Sequence, residues 1–478
     1  MNRRRFLHQL ALKASATAFL PYLDLMAGPS AGKVKITNVQ CILTRIGFRV
    51  SPLVKITTDS GLVGIGECHH DENGHGAKDV VLNVCKPILM GQDPLNLEYL
   101  VFKMSTRTSY YGGNHGVATH AITGVEFAMW DLIGKITGQP VHRILGGGAH
   151  VKEVRAYAST GPRDMSSKES CAEFAGHMKS QGWTACKTNI LRDQRWDALD
   201  NRRLSNLEVD RNAKGYANMR EALGLGFDIA VHCHWEFDFD SALRLAEAVA
   251  PVRPIWLEDP LPIAFNDQWV KLTEKSPVPI LTGENLYGRD DFRPFIVNQG
   301  VNIIEIDVSM AGGLLEAKKI ADLAETYYIP VATHNVAGPI ATIASANFAA
   351  SVREFVAHEA FVGHPKNREG HGINGDPDVL GYDKEMIVKG HIQLSDRPGH
   401  GIELNEKLIR ERLLGNRRND VVLDISSASP GNEERGTEDT LVGLSIGDWS
   451  CFQSGHTVIG CGSPKIHPFT THYAAMRS

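Results

Sequence analysis

The chain has 478 residues, 42% apolar and 22% charged, the make-up of an ordinary globular protein long enough for two domains. A net charge of only −5 with no basic stripe argues against a nucleic-acid partner, and beyond the first thirty residues no apolar run is long enough to span a bilayer. The eight cysteines show no CxxC spacing, which argues against a zinc ribbon or a disulfide scaffold and leaves mostly buried thiols.

The opening segment stands apart. Asn2-Arg3-Arg4-Arg5-Phe6-Leu7 precedes a mildly apolar stretch from Leu10 to Leu25 that ends in Ala27, Gly28, Ser30 and Ala31. This resembles a twin-arginine export signal, and Lys13 inside the weakly apolar stretch suits that route better than ordinary secretion. Residues 1–30 are therefore excluded from the fold, and a periplasmic protein, free of the membrane after signal removal, is expected. A basic start on a cytoplasmic helix is the alternative.

Residues 31–150 predict an α+β domain. Two alternating runs, Lys33 to Thr44 and Pro52 to Thr58, lead through the turn Asp59-Ser60-Gly61 into Leu62 to Glu67, the pattern of an antiparallel meander. Helical spacing follows in Val80 to Leu89 and Ala118 to Ile136, with Gly91-Gln92-Asp93-Pro94 breaking the first. Between them, Cys68-His69-His70-Asp71-Glu72-Asn73-Gly74-His75 is rich enough in histidine to bind a metal, although a solvated loop is the simpler expectation. Gly146-Gly147-Gly148 and the run Val151 to Tyr157 place the boundary near residue 150.

Residues 151–385 read as repeated strand–helix units. Short apolar runs end in polar residues at His232, Glu258, Glu284, Asp307, His334 and Glu359, at steps of 23 to 27 residues, the length of one strand plus one helix. Amphipathic patterns such as Ser241 to Ala250 and Leu314 to Tyr327 lie between them. Such units favour a parallel (β/α) barrel of the TIM type, with its chemistry at the C-terminal strand ends. An earlier strand is Trp183 to Asn189, and the charged stretch 192–218 after it reads as an inserted loop or lid. Strand alternation puts His232 and His234 on one face.

The contexts Trp256-Leu257-Glu258-Asp259-Pro260, Thr282-Gly283-Glu284-Asn285, Asp307-Val308-Ser309-Met310-Ala311-Gly312-Gly313 and Ala332-Thr333-His334-Asn335, in that order and followed by Glu359, resemble the enolase superfamily, mandelate racemase-like branch, over roughly residues 34–410. The resemblance implies a modified barrel roofed by the α+β domain, whose loops contact substrate. It implies Mg²⁺ held by Glu258 and Glu284. His232 stands where relatives place an aspartate ligand, and imidazole suits a transition metal better than Mg²⁺. Asp228 is about 13 Å back along the strand and cannot replace that carboxylate; Glu236 and Asp238 lie just beyond the strand end.

His334, oriented by Asp307, corresponds to the base that removes the proton beside a carboxylate. His234 matches the acid of sugar-acid dehydratases, and Glu359 the carboxyl group that donates a hydrogen bond to the enolate. Lys187 and Asn189 would contact substrate; Asn189 replaces the second lysine of the racemases, so one-base chemistry is indicated. Lys187 alternatively pairs with a carboxylate. Asp259, before Pro260, reads as a turn cap and Glu305 as a residue deeper in the barrel.

Residues 386–394 and 397–404 resemble the closing segment that returns to the capping domain, assigned to 386–415. Residues 416–478 form an extension with a linker at Ser426 to Thr440, where only Cys451 and Cys461 are close enough to suggest a disulfide. The expected function is a metal-dependent sugar-acid dehydratase that gives a 2-keto-3-deoxy product from a small carboxylate substrate. A racemase or epimerase, or a silent sugar-acid-binding relative that has lost its metal, are the alternatives. A homo-oligomer is expected.

Overall fold

The computed structural model describes residues 34–46, 49–70, 74–193, 201–360, 380–382 and 385–411. The export signal, the Cys451/Cys461 pair and the extension from 416 lie outside the described residues. No described helix is long and apolar enough to cross a membrane.

The first domain opens with β1 (Ile36–Ile46), β2 (Arg49–Thr58) and β3 (Val63–Glu67). They form an antiparallel meander with Ile46 opposite Arg49 and Leu53 opposite Glu67. A helical run follows, α1 (His75–Val80), a π turn at Val81–Cys85 and α2 (Lys86–Leu89), then α3 (Leu97–Gly112) and α4 (Val117–Thr137). Helix α4 is buried on nearly every side, which its near-continuous apolar sequence anticipates. Gly64 and Gly66 let β3 lie directly on it: a Cβ at either would sit 2.1 or 2.0 Å from the carbonyl oxygen of Ala128 or Gly124.

Eight parallel strands then close into a barrel: β4 (Glu153–Ser159), β5 (Ala185–Asn189), β6 (Asp228–His232), β7 (Trp256–Glu258), β8 (Ile280–Thr282), β9 (Ile303–Glu305), β10 (Val331–Thr333) and β11 (Phe355–Ala360). Pairing of His358 with Ala156 and Ala360 with Ala158 closes the ring. Its interior is packed by Tyr157, Trp256, Leu281 and Ile303 among Ala185, Ala230, Ala332 and Ala357, large residues filling the space small ones leave. The helices that matter to the site are α5 (Asn206–Leu223), α6 (Leu314–Thr326) and α7 (Pro339–Ala349).

One expectation is corrected. The stretch 192–218 is not wholly an inserted loop: from Asn206 it is α5, the helix between β5 and β6, started by a capping box between Ser205 and Glu208. Charge misled because most of this helix's outer face is solvated, as in the pair Lys214–Asp210; residues 194–200 are not described. The closing segment returns to the first domain by way of a hairpin. β12 (Ile387–Val388) and β13 (His391–Gln393) form a hairpin whose β13 pairs antiparallel with the start of β4. Beyond the hairpin the chain reaches the first domain: Arg143 donates to Asp396 at 3.0 Å, His400 N to Asp131 and Val141 N to Gly399 O.

Buried carboxylates join the two domains at helix starts. Glu67 Oε2 accepts from the backbone N–H groups of Ile340 and Ala341, both at 3.1 Å, in the first turn of α7. Glu126 accepts from Leu314 N at 3.0 Å and Leu315 N at 2.9 Å, the start of α6, and from Trp130 Nε1 at 2.7 Å. Each supplies acceptors to backbone N–H groups that have none within their helix.

Candidate active site

The strand geometry brings the polar residues to one rim. Lys187 and Asn189 lie on β5, His232 ends β6, Glu258 ends β7, Glu284 and Asp307 follow β8 and β9 by two residues, His334 follows β10 directly, and Glu359 lies on β11. Asn189 is exposed opposite His232 in the register; the others are buried. A surface cleft of about 630 Å³ beside Trp183 and Lys389 lies near the start of β5 rather than among these residues.

His334 and Asp307 form the best-defined pair. Asp307 Oδ1 accepts from the backbone of Ser309 at 2.8 Å and Met310 at 3.1 Å, which fixes the carboxylate. Its Oδ2 lies 2.7 Å from His334 Nδ1. His334 Nε2 is thereby turned inward, 3.5 Å from both Glu284 Oε2 and Glu359 Oε2. Burial opposes charge on this imidazole, but Glu359 and Asp307 outweigh it and push His334 up to about 9. The same contacts hold Asp307 below the usual carboxylate range against burial.

Lys187 is paired with buried carboxylates, as the pairing alternative expected. Its Nζ lies 2.6 Å from Glu258 Oε1, 3.1 Å from Glu359 Oε1 and 3.8 Å from Glu284 Oε2. Against the cost of burial, these neighbours hold it well above the ordinary lysine value. Glu359 in turn departs from the expected hydrogen-bond donor. Burial works against ionisation, yet Lys187 and His334 pull Glu359 down to about 2, and it accepts from Asn335 N at 3.2 Å and Tyr157 OH at 3.3 Å. It is an ionised acceptor.

His232 Nε2 faces three carboxylates: Glu258 Oε1 at 3.4 Å, Asp259 Oδ2 at 3.5 Å and Glu284 Oε2 at 3.6 Å. Burial and the charge of Lys187 push this imidazole well below its usual range. Burial and mutual repulsion raise Asp259 to about 8 and Glu284 well above the ordinary carboxyl value. His234 stacks on His232, ring centroids 3.7 Å apart and planes at 26°. Strand alternation is not the cause. The strand ends at His232, and His234 and Trp235 adopt left-handed φ of 53° and 57°, a conformation rare outside glycine and common at functional sites. Arg202 donates to Trp235 O at 2.6 Å, and Arg192 to Glu236 at 3.0 Å, bracing that turn. Glu236 is thus engaged by Arg192, and Asp238 caps the following helix by accepting from Ser241 N, so neither stands in for a ligand at position 232. Burial, then Lys187 and His334, bring His234 down to about 4.

Three residues carry more than the sequence suggested. Asp259 is not a turn cap; its Oδ1 accepts from Thr282 Oγ1 at 2.5 Å across the neighbouring strand. His69 is not in a solvated loop. It is buried, its Nδ1 lies 2.9 Å from His70 O, its Nε2 has no partner, and its ring is 4.8 Å from that of His120. Tyr287, three residues past Glu284, reaches His120 Nε2 at 3.3 Å, so these histidines pack on the barrel rim beside Asp307 rather than facing water. Tyr157, to which no role was given, donates to Glu305 at 2.7 Å and so joins that deeper carboxyl to Glu359. Only the density of histidine in the loop signalled any of this.

A closed parallel barrel roofed by an antiparallel-sheet domain, with acids and histidines on consecutive strand ends, defines a (β/α)-barrel enzyme. Residues 35–146 match the mandelate racemase / muconate lactonizing enzyme N-terminal domain, and residues 170–408 match the enolase C-terminal domain-like family. The chain is 34% identical over 373 residues to D-xylonate dehydratase of Haloferax volcanii, covering 78% of this chain and 87% of that protein. It is 30% identical to D-galactonate dehydratase of Pectobacterium atrosepticum, covering 76% and 92%. A mandelate racemase/muconate lactonizing enzyme-like protein from Rubrobacter xylanophilus has a similar structure, with a TM-score of 0.71 and 33% identity over 80% of this chain and 98% of that one. The chain belongs to the enolase superfamily, in its mandelate racemase/muconate lactonizing enzyme branch.

Enzymes of this superfamily use a divalent cation, and the residues present fit one. Ligand atoms of His232, Glu258, Asp259 and Glu284 all lie within 4.8 Å of one another. His232 Nε2, Asp259 Oδ2 and Glu284 Oε2 are buried without a hydrogen-bond partner, and such atoms are expensive to leave unsatisfied.

Proposed function

We propose that the protein is a sugar-acid dehydratase that removes the proton α to the substrate carboxylate and expels the β-hydroxyl, giving a 2-keto-3-deoxy acid. The observation that carries this is the Asp307–His334 pair, with its Nε2 turned into a ring of ligand-type residues at the barrel rim. The names of the related D-xylonate and D-galactonate dehydratases support the substrate class.

His334 Nε2 takes the α-proton while the C–H electron pair passes into the enediolate of the substrate. Asp307 keeps the accepting nitrogen aimed and stabilises the imidazolium that forms. His232, Glu258 and Glu284 would hold a divalent cation, which would supply positive charge against the enediolate. The enediolate then releases the β-hydroxyl, which leaves as water with a proton from His234. His234 is neutral in the free site and takes up that proton when the anionic substrate enters. The resulting enol tautomerises to the ketone. Asn189 leaves no second lysine base, which favours elimination over racemisation.

The test is a screen of aldonic and aldaric acids for 2-keto product, with substrate α-proton exchange followed in D₂O. His334→Asn is expected to remove exchange and dehydration together, by about 10²–10⁴-fold. His234→Asn is expected to keep exchange and suppress dehydration. Loss of less than about tenfold in His334→Asn would reject its role as the base.

A further inference from the structure

We infer that Asp259 is a metal ligand in its own right, supplying the third negative charge that the neutral imidazole of His232 does not. The inference rests on the reading of this rim as a metal-dependent site, and it concerns which side chains hold the ion.

Glu258 has little capacity to spare, because Oε1 is taken by Lys187 at 2.6 Å and Oε2 by Trp256 Nε1 at 2.7 Å. The open valences are elsewhere. His232 Nε2, Asp259 Oδ2 and Glu284 Oε2 are the unpartnered atoms of the cluster, and all three residues are more than nine-tenths buried. They converge, with Asp259 Oδ2 at 3.5 Å and Glu284 Oε2 at 3.6 Å from His232 Nε2.

The backbone explains how Asp259 comes to be there. Consecutive residues of a strand point to opposite faces, so Asp259 should face away from the interior that Glu258 occupies. The strand stops at Glu258, and Asp259 takes a left-handed φ of 50°. That turn brings two successive carboxylates to the same centre. Aspartate tolerates the conformation better than most residues, yet it still costs energy in a buried strand end and is held only where the surroundings impose it. The Thr282 hydroxyl imposes it by donating to Oδ1, which leaves Oδ2 aimed at His232. A carboxylate whose only purpose was to accept from Thr282 would not need its second oxygen turned, unpartnered, toward another ligand atom. With Asp259 the centre offers one imidazole nitrogen and three carboxylates, a set suited to Mn²⁺ and its first-row neighbours.

The experiment is titration of the metal-stripped, full-length protein with Mn²⁺ alone, following free Mn²⁺ by electron paramagnetic resonance. No substrate is present, so a protein that binds Mn²⁺ through Asp259 but dehydrates nothing would refute the proposed reaction and leave this assignment standing. Loss of a group that merely orients a ligand costs about 10–100-fold in affinity, so loss of a ligand should cost at least that. Asp259→Asn is therefore expected to weaken Mn²⁺ binding on the order of 100-fold, and His232→Asp/Asp259→Asn, which returns the charge at position 232, to recover to within about tenfold of the native protein. Thr282→Val keeps the carboxylate and frees its orientation; it should weaken binding about tenfold, and it reads the same question if Asp259→Asn fails to fold. Native affinity in Asp259→Asn, or in Thr282→Val, would overturn the assignment. Failure of the double variant to recover would overturn the exchange of charge between the two positions.

Discussion

Buried carboxyl groups occur in two regions of this protein and are treated in opposite ways. In the first domain, Glu67 and Glu126 face backbone N–H groups at the starts of α7 and α6. At the barrel rim, Glu258, Asp259, Glu284 and Glu359 face one another, with Lys187 as the cation shared among three of them. Fixed dipoles satisfy the first pair without any ligand. In the second set Asp259 and Glu284 keep unpartnered oxygens that face His232, an arrangement suited to receiving a further positive charge. A buried acid therefore marks a site here through what it faces, and its burial alone says little. The two regions also meet: Glu67 anchors the helix that follows His334, and Glu126 the helix that follows Asp307, so the structural acids hold the frame in which the reactive pair is set.

This comparison is broken most severely at Lys187. Lys187→Met leaves Glu258 and Glu359 without their cation and is expected to cost roughly 3–5 kcal/mol in denaturant unfolding of the metal-stripped protein, with millimolar Mn²⁺ restoring part of the loss. A loss under about 1 kcal/mol would mean that the rim carboxylates are not in conflict.

A smaller effect is expected at Glu126, where burial is the largest influence and raises the carboxyl to about 7 in spite of three donors. Its folded value lies above the unfolded one, so its contribution to stability is complete below about pH 4.5 and is lost as pH rises through about 7. The loss amounts to no more than about 3 kcal/mol. Glu126→Gln lacks this titration, so the stability gap between native protein and variant should narrow between pH 5 and 8 in parallel thermal melts; a constant gap would show that the donors keep Glu126 ionised throughout.

The smallest change is Glu67→Gln. A single carbonyl oxygen can still accept from both Ile340 N and Ala341 N, so only the charge at the helix start is removed, at a cost of about 1 kcal/mol. Equilibrium unfolding that shows a loss above about 3 kcal/mol would place Glu67 with the conflicted acids instead.

The sequence by itself determined the ring of strand ends. Each strand–helix unit of a closed parallel barrel returns the chain to the same rim, so a regular step is enough to bring Glu258, Glu284, Asp307, His334 and Glu359 together before any contact is known. The antiparallel meander was equally legible, because its turn at Asp59-Ser60-Gly61 and alternating runs are local signals. Tertiary structure alone decided the rest. Asp259 and His234 enter the site through left-handed backbone beyond the strand ends, a local conformation that spacing along the chain does not reveal. His69 is buried beside His120, on a helix of its own domain that is distant in sequence, and α5 hides behind a charged surface that resembles a loop. Whether Lys187 and Glu359 act as free groups or as an ion pair depends on separations of about 3 Å, and ionisation follows those distances rather than residue type. Spacing along the chain fixes which residues share a rim, but the charge each carries there is set by neighbours from other strands.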